Sequence, residues 1–60
     1  MSNYLDWEEA VTLLVADALE ASYSDASGVV EAQGQCMQQS WAKSLDAKQT
    51  AAKILAAAQQ

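Results

Sequence analysis

Histidine, arginine, proline and phenylalanine are absent from this sequence, and cysteine occurs once, at Cys36. Each absence excludes something. Without histidine, the usual proton carrier of acid/base and nucleophilic catalysis is missing, and so is a ligand set for structural zinc. A single cysteine rules out an intrachain disulfide. Cys36 reads as a small buried hydrophobe at apolar helical spacing, with an interchain Cys36–Cys36 bridge as the alternative. Without arginine, and with three lysines against eight carboxylates, the chain has little to neutralise phosphate. Direct binding to DNA, RNA or anionic lipid is not expected. No apolar run approaches the ~20 residues that a membrane-spanning helix needs. The opening residues lack the basic n-region of a signal peptide, so the expected address is the cytoplasm.

What is present favours helix. The chain has 60 residues, 52% of them hydrophobic, a formal charge of −5 and only two glycines. That is too apolar for compositional disorder. Alanine, glutamine and leucine support helices and give strands little support, so the fold class is all-α. A domain of this length buries only about 60% of its unfolded surface. With no disulfide or structural metal to help, homo-oligomerisation is the remaining route to a full core. The expectation is one domain over residues 1–60, completed by a second copy as a dimeric helical bundle.

The helices can be placed from caps and periodicity. Asn3 and Asp6 are each a capping residue followed three later by an acid, and Asp6, Glu8 and Glu9 crowd the first turn. A helix is predicted over about 5–21. At 100° per residue, Tyr4, Trp7, Val11, Leu14, Val15 and Ala18 form one stripe, with Asp6, Glu9, Asp17 and Glu20 opposite. Leu5, Ala16, Leu19 and Tyr23 form a second apolar stripe, and Leu13 sits among the acids. Residues 22–28 concentrate small polar side chains and mark a break, with Ser22 or Ser24 as the next cap.

A second helix is predicted over about 25–58, placing Val29, Val30, Gln33, Met37, Ser40 and Trp41 along one side. Ser44 or Asp46 can cap a new helix with Ala47, Ala51, Ile54, Leu55 and Ala58 as its apolar face, which would break the second helix near 42–46. The two readings are a helical hairpin and a three-helix bundle. With no glycine or proline beyond Gly34, the uninterrupted helix is favoured; at 1.5 Å per residue it would be roughly 50 Å long. Its excess length over the first helix is the main reason to expect a dimer. Seven of the eight acids lie in residues 1–31, and all three lysines, Lys43, Lys48 and Lys53, lie beyond. Opposite charge favours packing of the N-terminal helix on the C-terminal region.

Motifs of chemistry are not found. Glu8 and Glu9 are first-turn acids, the acids at 6, 9, 17 and 20 lack the spacing of a calcium loop, and Gly28 and Gly34 are too isolated for a phosphate loop. The pair Ser44-Leu45 resembles the serine-leucine at the prosthetic-group site of acyl carrier proteins. Lys43 stands where that family has aspartate, so no such serine is assigned. No catalytic, cofactor-binding or metal residue is assigned.

The functional expectation is therefore a non-enzymatic oligomerisation or protein-interaction module, an adaptor or regulator of another protein. Its self-association seam would be Trp7, Val11, Leu14, Val15, Met37 and Trp41. A partner face would comprise Asp6, Glu9, Leu13, Asp17 and Glu20. The alternative is a small acidic inhibitor that presents this carboxylate row to a basic, nucleic-acid-binding groove.

Overall fold

The computed structural model describes residues 3–58. Four helices follow one another: α1 Tyr4–Leu19, α2 Tyr23–Ala32, α3 Gly34–Ala42 and α4 Ala47–Ala58. Among the described residues all regular structure is helical.

Helix α1 starts where its cap dictates. The Asn3 side chain accepts from the Asp6 amide at 2.8 Å, which satisfies one of the orphan N–H groups of the first turn. It ends in a Schellman motif: the Ala21 N–H donates to the Ala16 carbonyl and the Glu20 N–H to that of Asp17. Glu20 takes the left-handed conformation this requires, at φ 53°. Ser22 then caps α2, its hydroxyl accepting from the Asp25 amide.

The uninterrupted helix over 25–58 is not what forms: one break falls at Gln33, where none was expected, and the other at 43–46, where the three-helix reading put it. At Gln33 (φ −105°, ψ 37°) the chain leaves helical geometry for one residue, dividing α2 from α3. At Ser44 a second Schellman motif ends α3, with Leu45 N–H donating to Ser40 and Ser44 N–H to Trp41. Ser44 sits at φ 59°. The physical reason is that a left-handed C-cap favours glycine without requiring it, because a strained serine is tolerated when capping bonds and packing on both sides hold it. Asp46 then caps α4 reciprocally: its carboxylate accepts from the Gln49 amide at 2.8 Å, and the Gln49 side chain accepts from the Asp46 amide at 3.2 Å.

These breaks fold the chain back on itself. α1 is the central element, packed most extensively on α4 and on α2, while α3 closes the bundle against α4. Packing of the N-terminal helix on the C-terminal one agrees with the charge division, although Lys43, Lys48 and Lys53 all stand exposed. Apolar burial therefore carries that contact. The core comprises Trp7, Val11, Val15, Ala16, Ala26, Val30, Met37, Ala51 and Ile54, with Tyr4, Leu14, Val29, Cys36, Ala47 and Leu55 packed around it. Two buried threonines fit this core because each hydroxyl donates back to a helix carbonyl, Thr12 to Glu8 and Thr50 to Asp46. The principal extents are 28 × 23 × 16 Å, well short of the roughly 50 Å of a continuous second helix.

Candidate functional site

The outer face of α1 follows from which of its sides the neighbours cover. α2 and α4 take the stripe from Trp7 through Val11 to Val15. The opposite side is left to solvent, and there the ridge Leu5-Glu9-Leu13 runs at i, i+4, i+8. Leu5 is 70% exposed and Leu13 51%. Asp6, Glu9, Asp17 and Glu20 are all exposed beside them. Of the five residues expected as a partner face, Asp6, Glu9, Leu13 and Asp17 thus share one open side of α1, with Leu5 at its edge and Glu20 just past the helix end. Sequence reading placed Leu5 in an apolar stripe with Ala16, Leu19 and Tyr23; only Ala16 of that stripe is buried. On the helical wheel Leu5 falls between Thr12 and Ala16, which are both buried, so periodicity alone does not separate it from the core; its place in the first turn of α1 does.

The expected self-association seam divides differently. Trp7, Val11, Val15 and Met37 are buried within the single chain and hold its core. They have no free surface to offer a second copy while the chain is folded. Leu14 is half-buried against the core, and Trp41 is 40% exposed.

Trp41 belongs to an aromatic cluster at the end of the bundle where α1 begins and α3 stops. Its ring lies edge-on to Tyr4 with centroids 5.1 Å apart, and 5.1 Å from Trp7; Tyr4 and Trp7 are 5.5 Å apart. Such geometry matches the quadrupole preference of aromatic pairs. Trp7 Nε1 donates to the Leu45 carbonyl at 3.0 Å, which ties α1 to the loop before α4. Burial, and secondarily the negative charge of Glu8, raise the Tyr4 hydroxyl above its ordinary pKa of 10.0.

Among the described residues no pocket opens, and no group of three His, Cys, Asp or Glu side chains is placed to hold a metal ion. Glu8 is half-buried and Glu9 exposed, on different sides of α1. Cys36 is a free thiol, half-buried against the core. Among the described residues no helix is long and apolar enough to cross a membrane. The sequence matches no known protein family and no curated protein, and the fold matches no solved structure.

Proposed function

We propose that this protein is a non-enzymatic helical interaction module, an adaptor or regulator that engages another protein through the surface of α1 and pairs with a second copy of itself. The observation that carries the reading is the set of large apolar side chains left in solvent around a filled core: Leu5, Leu13, Leu19, Tyr23 and Trp41. Scattered single hydrophobes are ordinary on a protein surface. Five among the described residues, two of them on one open ridge, are more than a chain this small needs to leave uncovered. For the self-pairing, Leu14 and Trp41 are the members of the expected seam that keep surface. The free thiol suits a reducing compartment, and we assign the module to the cytoplasm.

Light scattering after size exclusion, in reducing buffer over a dilution series, tests the self-pairing. A dimeric mass that persists on dilution is the expected result. A monomer at every concentration overturns self-pairing. If that monomer also captures no protein through α1, the interaction reading falls with it.

A further inference from the structure

We propose that the outer face of α1 docks a basic amphipathic helix of a partner protein, with Leu5 and Leu13 seated in the apolar stripe of that helix and Asp6, Glu9, Asp17 and Glu20 facing its lysines and arginines. This rests on the reading of the chain as an interaction module and names the chemistry of its partner. Leu5 and Leu13 are the two most exposed large hydrophobes among the described residues. Eight residues of helix separate them by about 12 Å, two turns, which is the contact length of one helix laid along another. Glu9 stands between them on the same ridge, so whatever covers the leucines must also accept a carboxylate.

Charge selects the occupant. The face carries four exposed acids, and every lysine of the chain lies on the later helices and loop, at 43, 48 and 53. A second copy presenting the same face would bring two such rows together about a two-fold axis, and like charges at close range repel. Phosphates of nucleic acids and of anionic lipids are excluded by the same sign.

Two of the acids also work against their own helix. Asp17 lies in the last turn of α1 and Glu20 is its C-cap, where the helix dipole is negative and no basic residue compensates. Acids at that end cost α1 stability, and a cationic partner laid beside them would offset that cost. The leucines distinguish this partner from a nucleic-acid-binding groove, since a row of phosphates has no apolar counterpart.

The test is titration of the full chain with a synthetic Leu/Lys amphipathic helix of about 18 residues, five turns, read by isothermal calorimetry. Poly-lysine and a Leu/Glu helix of the same length serve as controls. The Leu/Lys helix is expected to bind, the Leu/Glu helix not to. Leu5→Gln with Leu13→Gln should weaken binding about tenfold or more, as removal of central apolar anchors does. Glu9→Gln with Asp17→Asn should weaken it comparably and flatten its salt dependence. All four positions are exposed, and circular dichroism checks that the variants stay helical. Should the leucine pair prevent folding, Glu9→Lys with Asp17→Lys replaces it and must abolish binding.

Equal affinity for poly-lysine, or binding insensitive to the leucines but lost with the acids, overturns the proposal in favour of a charge-only ligand such as a basic groove. Absence of Leu/Lys binding from a chain that still dimerises overturns the docking and leaves the module reading standing. Absence of binding from a strict monomer overturns both.

Discussion

Glu20 and Ser44 carry the fold's two sharpest reversals in a conformation that suits neither, at φ 53° and 59°. A non-glycine residue in the left-handed region clashes between Cβ and its own backbone, at roughly 1–2 kcal/mol per residue. Glycine removes that clash and gives back part of the gain as chain entropy. Ser44→Gly and Glu20→Gly should therefore each raise stability by about 0.5–1 kcal/mol, measured by urea denaturation; Glu20→Gly also removes an acid from the wrong end of a dipole. Gly28 is the converse case. It sits inside α2 with nothing within 4 Å of where a Cβ would project, so Gly28→Ala should stabilise by about 1 kcal/mol. The Tyr4 hydroxyl gives a pH signature. Its folded pKa lies above the unfolded value of 10.0, so the folded state holds the proton more tightly. That stability is present below pH 10 and lost as pH rises through the folded value. Wild type should lose stability above pH 10 faster than Tyr4→Phe, a difference that alkaline denaturation curves of the two proteins will show.

At the scale of elements, the short α4 depends on its entry. Asp46 and Gln49 satisfy each other's backbone N–H groups, and α4, which packs on α1, buries Thr50, Ala51 and Ile54. Asp46→Ala should cost about 1 kcal/mol and loosen α4 before the rest, seen as faster amide exchange over residues 47–51 than over α1. Capping chemistry was also what the sequence disclosed best. Asn3 and Ser22 announce α1 and α2 because a capping side chain acts within three residues, and local interactions leave local signals. The Asp46 cap and the break near 42–46 were equally legible as candidates, but the sequence did not decide between that break and a continuous helix. Gln33 carries no residue-type signal for a helix stop, and Ser44 marked only a candidate one: what decides both is the gain from folding α4 onto α1 and α3 onto α4, a non-local term. The face of α1 was readable for the same reason as its cap, since a 3.6-residue period sorts Leu13 and the acids from Val11 and Val15 without knowledge of the neighbours. The division of the expected seam was not, because whether Trp7 and Met37 meet their own chain or another copy depends on where the later helices turn.

For the molecule as a whole, the breaks change the case for self-association. A hairpin with one overlong helix would have needed a second copy as cover. The radius of gyration is instead 10.3 Å, the value of about 10 Å expected of a compact 60-residue chain. Most of the apolar stripe is covered from within, so the fold does not require a second copy. The margin is still thin. At roughly 0.05–0.15 kcal/mol per residue, such a chain has about 3–9 kcal/mol in total. Ile54 is fully buried where α4 meets the core, and Ile54→Ala should cost about 2–5 kcal/mol. That is enough to bring the monomer near its unfolding midpoint at room temperature. In that state any species that binds only the folded chain becomes visible in the melting curve, because association with the native form raises apparent stability by mass action. The melting temperature of Ile54→Ala, followed by circular dichroism at two concentrations a hundredfold apart, is therefore expected to rise with concentration if copies pair as proposed. A melting temperature independent of concentration would assign all remaining stability to the single chain and overturn the pairing of copies.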